Sequence, residues 1–345
     1  RDNGLDTWIV IYNLENKIEE KIINTPAMDL DPFFSPDGSL LYYVSAKMGT
    51  FDIWQYSFLS DETSLVLEAP GLQIRPQPHP KGNQLIYLHK RGSNEIRSLQ
   101  IEKNENDDFI SLTDSIHKTF ISERNLSMTR PAISPSGDLI VYNWPTQQNY
   151  ELRLLNIADP TSTLFLTSSG GLPLNPTWSP DGKWIYFSEA NQDEVFYLKR
   201  ISVFGGKVET INISKWDWGE PTAKVIIETK MKGSKILTAS RITVSDEKGH
   251  FVIPNKTQSR FDGQNGKVFF YSTGRIELTV PFGEINISAV KGITTPLSTK
   301  KIKINRKGTK KVTLSLSSVW DNKENGWISG DHHFHLNYGG QYQLT

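Results

Sequence analysis

No cysteine occurs among the 345 residues, which excludes disulfides, thiolate metal sites and a cysteine nucleophile. Net charge is absent too: 38 Lys plus Arg balance 38 Asp plus Glu, so no long-range field draws the chain to nucleic acid or to an anionic membrane. No apolar run approaches the roughly 20 residues that span a bilayer. The opening R-D-N-G-L-D-T-W is not a signal peptide and carries no initiator methionine, which predicts a processed product or a fragment. The G-x-S-x-G elbow, the phosphate-cradling G-x-x-x-x-G-K-[ST] loop and the H-E-x-x-H zinc motif are all missing. Four N-x-[ST] triplets, at Asn125, Asn212, Asn255 and Asn286, carry no weight in a chain rich in Asn, Ser and Thr.

What is present is a repeat. P-F-F-S-P-D-G from Pro32, P-Q-P-H-P-K-G from Pro76, P-A-I-S-P-S-G from Pro131 and P-T-W-S-P-D-G from Pro176 share the pattern P-x-x-[SH]-P-x-G. Their last glycines, Gly38, Gly82, Gly137 and Gly182, recur at intervals of 44, 55 and 45 residues. The longer middle interval predicts a loop insertion, either in the polar stretch around Asn104 or near His117. Each motif reads as a type I turn, with Pro presetting φ and Gly free to take a positive φ. A strand is expected after each turn, at L-L-Y-Y-V-S from Leu40, L-I-Y-L-H from Leu85, L-I-V-Y-N-W from Leu139 and W-I-Y-F-S from Trp184. Another is expected at D-I-W-Q-Y from Asp52, E-I-R-S-L from Glu95, E-L-R-L-L from Glu151 and E-V-F-Y-L from Glu194.

Short strands at a period near 45 residues are the sequence pattern of propeller blades. The S-P-D-G turn, the aromatic-rich strand and the D-I-W-type strand together resemble the TolB-like, WD40-like β-propeller repeat. L-D-T-W-I-V-I-Y from Leu5 aligns with F-D-I-W-Q-Y-S-F from Phe51, so the chain enters midway through a blade. Four whole blades and the tail of another are expected over residues 1–216. The resemblance implies six or seven in a closed ring, with the others upstream; the alternative is a smaller ring closed by pairing the first strands with a late segment.

Beyond Trp218 the turn motif disappears. Alternating runs follow at Ala223, Ser240, Lys267, Arg275, Glu284 and Lys311, the period-2 pattern of half-buried antiparallel strands. Seven or eight strands over residues 217–318 predict an antiparallel β-sandwich, giving an all-β chain. The V-P-x-G-x-[IY] hairpin at Val280 to Ile285 and the D-x-x-G turn at Asp246 to Gly249 resemble the transthyretin-like or carboxypeptidase-regulatory-like sandwich.

Residues 319–345 contain W-I-S-G-D-H-H-F-H-L-N-Y-G-G. In an extended segment His333 and His335 point to one side, so both imidazoles reach one divalent ion. Two ligands are half a site, and H-x-H alone is a weak motif equally compatible with a surface tail. With Gly-Asp before it and Gly-Gly after it, the stretch resembles the first strand of the CehA/McbA-like metallohydrolases of the polymerase-and-histidinol-phosphatase superfamily. The resemblance implies that His333 and His335 are ligands for Zn, Mn or Fe, and that Asp331 orients a ligand histidine from behind. His332 stands where that motif is usually apolar. The implied chemistry is ester or amide hydrolysis by a metal-activated water, with the remaining ligands beyond Thr345 and this chain inactive by itself.

A non-enzymatic alternative is a scaffold whose propeller face binds a peptide, glycan or protein partner, and assembly into a homo-oligomer fits either reading. The resemblances and the missing cysteines imply a periplasmic or secreted location. Among other candidates, His79 replaces a turn serine, and His89, His117 and His250 stand isolated in the sequence. Asp37, Asp181 and the strand-start acids Asp52, Glu95, Glu151 and Glu194 recur with the repeat and are expected to serve structural hydrogen bonding.

Overall fold

The computed structural model describes residues 7–103, 109–111, 117–124, 130–146, 150–168, 171–190, 196–214, 219–254, 259–262, 267–320 and 324–327. The described residues form β-strands, turns and loops without an α-helix, and no helix long and apolar enough to cross a membrane occurs among them. The chain divides into two compact units, with the break between Asn212 and Ile213.

The first unit is a series of antiparallel blades, three of them four-stranded meanders and one a five-stranded sheet. A two-stranded piece, β1 (Ile9–Tyr12) and β2 (Glu19–Ile23), comes first. Blade 1 is β3 (Asp29–Phe34), β4 (Leu40–Ser45), β5 (Asp52–Ser57) and β6 (Glu62–Leu67). Blade 2 is β7 (Leu72–Pro78), β8 (Gln84–Arg91), β9 (Ser93–Lys103), β10 (Phe109–Ser111) and β11 (Lys118–Glu123). Blade 3 is β12 (Ala132–Ile133), β13 (Leu139–Pro145), β14 (Tyr150–Asn156) and β15 (Thr163–Ser168). Blade 4 is β16 (Pro173–Trp178), β17 (Trp184–Ala190), β18 (Phe196–Ser202) and β19 (Glu209–Thr210). Four whole blades and the outer half of another are therefore present, as the repeat predicts. The extra residues of blade 2 extend β9, whose end pairs with β10 while its beginning pairs with β11.

The repeated turns form as their chemistry requires. In each, the Gly N–H donates to the carbonyl three residues back, at 2.9 Å for Gly38 to Ser35, 2.8 Å for Gly82 to His79, 2.9 Å for Gly137 to Ser134 and 3.0 Å for Gly182 to Ser179. All four glycines have φ between 69° and 82°, a conformation in which a side chain would be strained. The serines accept the N–H that opens the next strand, Ser35 Oγ from Leu40 (2.9 Å) and Ser179 Oγ from Trp184 (3.0 Å).

In β4, β8 and β13 the strand after the turn is buried on both faces, which is why it reads as an unbroken apolar and aromatic run rather than an alternation; in β17 Trp184, Tyr186 and Ser188 are only partly buried. Tyr43, Tyr87, Tyr142 and Phe187 occupy one repeat position and are at most 1% exposed. Residues on one face pack on the following blade and those on the other on the preceding one. Leu40 and Tyr42 join Leu85 and Tyr87, whereas Leu41 and Tyr43 join Ile9 and Ile23. Ile86 and Leu88 join Ile140 and Tyr142, and Val141 joins Ile185 and Phe187. The cores thus lie between blades.

The second unit stacks two sheets over one core. One has β20 (Thr222–Met231) between β24 (Arg275–Pro281) and β27 (Thr309–Leu316). The other runs β22 (Ser259–Asp262), β23 (Lys267–Ser272), β21 (Ser240–Ser245), β25 (Gly283–Val290) and β26 (Ser298–Ile304). Val225, Ile227, Leu278, Val280, Val312 and Leu314 of the first meet Ile242, Val244, Phe270, Ile285, Ile287 and Ile302 of the second. Pairing is antiparallel except between β20 and β27, which run in parallel. Gly283 (φ 120°) and Gly249 (φ 90°) make the V-P-x-G and D-x-x-G turns.

Candidate functional site

The sequence-predicted metal ligands His333 and His335, with Asp331 behind them, lie outside the described residues. Among the described residues no group of three or more His, Asp or Glu side chains is arranged to hold a metal ion. Most of the repeat acids have partners within their own blades. Asp37 and Asp181 accept from the hydroxyls of Ser35 (2.6 Å) and Ser179 (2.5 Å). Glu151 is paired with Arg153 (Nε to Oε1, 2.5 Å), and Asp52 accepts from Thr50 Oγ1 (2.8 Å); Glu194 lies outside the described residues.

His79 is a turn residue, and it does more than the serines it replaces. Its Nδ1 accepts from Lys81 N–H (3.2 Å), so Nε2 carries the proton and donates to Gly137 O (2.9 Å) in the next blade. His250 is paired with Asp246 in its own turn (3.0 Å). His89 and His117, isolated in the sequence, come together in blade 2. Gln73 Nε2 donates to His89 Nδ1 (3.2 Å), and the Tyr87 hydroxyl bonds His117 Nδ1 (3.0 Å). Burial pushes the His89 imidazole below its ordinary pKa, and the charges of Arg97, Arg91 and His117 push the same way against Glu95. Burial and then Arg97 lower His117 as well. Burial pushes the Glu95 carboxyl up, but hydrogen bonds from Ser93 and Arg97 outweigh it and hold it low.

The unexpected feature is on the first strand of three of the four blades. The ladder of that strand slips between Leu30 and Phe33, between Ile74 and Gln77, and between Leu174 and Thr177. Each slip holds the first proline of the repeat, which has no N–H to give the ladder, so a bulge is the structure that accommodates it. The residue before the proline takes up the distortion: Asp31, Arg75 and Asn175 have φ of 48°, 57° and 51°. A non-glycine residue there costs on the order of 1–2 kcal/mol, yet three blades repeat it with polar side chains. The equivalent residue of blade 3 is Arg130, whose N–H donates to the buried Asn143 Oδ1 (3.3 Å).

Side chains lock these first strands together. Gln77 spans from β7 to blade 3, its Nε2 donating to Pro131 O and its Oε1 accepting from Ile133 N–H (3.2 Å). Trp178 Nε1 donates to Ala132 O (2.8 Å) from blade 4. Burial, then the Arg130 charge, push the Arg75 guanidinium down to about 10 against the pull of Asp31. Lys90 is lowered by burial and by Arg75. Sequence inspection missed this group because the aligned motif began at the proline. Starting one residue earlier, D-P, R-P, R-P and N-P show a polar residue in every copy.

No family model matches the chain. Among curated proteins, the uncharacterized protein Atu1656 of Agrobacterium fabrum is 24% identical over 211 residues, 61% of this chain and 67% of that protein. Among solved structures, TolB from Acinetobacter baumannii aligns with a TM-score of 0.51 at 15% identity, covering 78% of this chain and 60% of its own. A putative TolB from Agrobacterium tumefaciens aligns with a TM-score of 0.50 at 18% identity, covering 80% of this chain and 99% of its own. These likenesses establish a TolB-like propeller fold.

Proposed function

We propose that the propeller and sandwich are the recognition portion of a larger protein, and that they bind and position a ligand rather than transform it. The observation that carries this reading is the strained, polar, pre-proline residue repeated on the first strands of the blades. Backbone strain kept at one repeat position in three of the four blades is expected where side chains must be presented to a ligand. The ligand is a peptide, glycan or protein partner, and the TolB-like fold supports a periplasmic or secreted setting by analogy.

A second reading concerns the rest of that protein. The G-D-H-H-F-H stretch favours a metal-dependent hydrolase downstream, with His333 and His335 as ligands of Zn, Mn or Fe and Asp331 orienting one of them. A divalent ion held there would activate water for ester or amide hydrolysis. The two readings combine into a division of labour, capture by the blades and chemistry beyond Thr345. The test is to assay the purified 345-residue chain on p-nitrophenyl acetate and on a p-nitroanilide amide with added Zn, Mn or Fe. No metal-dependent turnover is expected. Turnover that chelation abolishes and metal restores would overturn the division.

A further inference from the structure

We propose that the sandwich carries a docking wall for an anionic lipid bilayer, in which the basic edge formed by β26 and β27 meets lipid phosphates and the apolar side chains at its end enter the headgroup layer. The inference goes beyond the recognition reading. It gives the second unit a surface of its own and stands or falls separately from ligand capture by the blades.

The argument begins with charge. The chain is neutral as a whole, but from Lys300 to Lys311 seven of twelve residues are Lys or Arg and none is acidic. Lys300, Lys301 and Lys303 stand on β26, Arg306 and Lys307 in the turn, and Lys310 and Lys311 on β27, all of them exposed. Lys301 pairs with Glu284 (2.8 Å) and Lys311 with Glu228 (2.7 Å). The other five have no carboxylate partner among the described residues.

Topology puts these charges on one surface. The strand β26 ends the five-stranded sheet and β27 ends the three-stranded one, so each has an edge with no strand beside it. The two edges adjoin, since Lys300 Nζ donates to Thr313 O (3.4 Å) and Lys310 Nζ donates to Lys303 O (2.9 Å). These bonds to neutral carbonyls hold the ammonium groups in place without cancelling their charge. At the rise of an extended strand, β26 makes the wall about 20 Å long.

Lysines guard a sheet edge against other chains, but that role asks nothing of the loop before β26. There Ile293 is 99% exposed and Leu297 56% exposed. The Val319 N–H donates to Thr294 O (2.9 Å), which brings the exposed Val319 and Trp320 beside that loop, and the exposed Trp327 ring lies 6.3 Å from that of Trp320. Apolar and indole side chains at the end of a basic strip favour a bilayer over a linear polyanion. Aromatic rings settle at headgroup level, aliphatic side chains bury at the acyl boundary, and Lys and Arg gain from the anionic surface. A nucleic acid or a sulfated glycan would use the charge and leave Ile293 in water.

The test is co-sedimentation of the full 345-residue chain with vesicles of phosphatidylcholine alone and of phosphatidylcholine with an equal part of phosphatidylglycerol. Binding is expected only to the anionic vesicles, and it should be largely lost in about 1 M chloride, where the screening length falls to about 3 Å. Arg306→Gln combined with Lys307→Gln should weaken it roughly tenfold or more. The charge-matched pair Lys81→Gln and Lys207→Gln, in the propeller, should leave it unchanged. Ile293→Ser should weaken it several-fold at constant charge. All the replaced side chains are exposed, and thermal midpoints equal to the parent's verify folding. No binding to the anionic vesicles, equal binding by the turn variant or by Ile293→Ser, or equal weakening by the propeller pair would overturn the proposal. Capture by heparin or duplex DNA without vesicle binding would overturn it in favour of a different polyanion.

Discussion

Gly137→Ala should destabilise the propeller far more than Gly38→Ala, although the two glycines close equivalent turns. Both have positive φ, 82° and 74°, so each alanine meets a left-handed backbone penalty of about 1 kcal/mol. At Gly38 nothing lies within 4 Å of the added Cβ. At Gly137 the Cβ would come within 2.5 Å of His79 Cε1 and Nε2. The imidazole cannot retreat freely, because Lys81 N–H holds its Nδ1 and its Nε2 is bonded to Gly137 O. Displacing the ring breaks a buried hydrogen bond worth about 1–3 kcal/mol, so Gly137→Ala should cost about 2–4 kcal/mol in all. Urea denaturation followed by tryptophan fluorescence measures the difference. The cycle is completed by His79→Ser, which restores the serine of the other three turns. In that background Gly137→Ala should fall to the cost of Gly38→Ala. Equal costs for the two glycine variants, or no relief from His79→Ser, would refute the inter-blade contact.

Phe187→Ala, at a position 1% exposed between blades 3 and 4, should cost about 3–5 kcal/mol. Phe204→Ala, 93% exposed, should stay within about 0.5 kcal/mol by the same denaturation. The lowered His89 and His117 predict a pH effect of definite sign. Below the ordinary imidazole pKa of 6.5 the unfolded chain takes up protons that the folded chain refuses, so stability falls as pH drops from there toward the lowered values. His89→Gln should flatten the decline that sets in below about pH 6.5, and an unchanged slope would contradict the lowered imidazole.

Much of the propeller was legible because its physics repeats. A turn that needs Gly at positive φ, followed by a strand buried on both faces, leaves the same letters in each copy, and β4, β8, β13 and β17 lie where those letters place them. In the sandwich, β20, β21, β23, β24, β25 and β27 are visible as alternations. The strand β26 was not, since S-T-K-K-I-K-I exposes its lysines along the sheet edge and only Ile302 and Ile304 signal the core. Charged edges of this kind discourage pairing with other chains, and they also conceal the strand. The convergence of His89 with His117 depends on β11 returning to pair with β9, a contact invisible to local patterning. The strained residues Asp31, Arg75 and Asn175 were hidden differently, because their conformation is set by the ladder slip at the following proline and leaves no mark on hydrophobic patterning.

Amide hydrogen exchange of the 345-residue chain, with and without a peptide or glycan found by array screening, tests the central claim that ligand capture occurs at the first strands. The account predicts added protection in peptides covering Asp29–Phe34, Leu72–Pro78 and Pro173–Trp178, with the unit beyond Ile213 unchanged. Protection confined to that second unit, or none in the first-strand peptides, would contradict it.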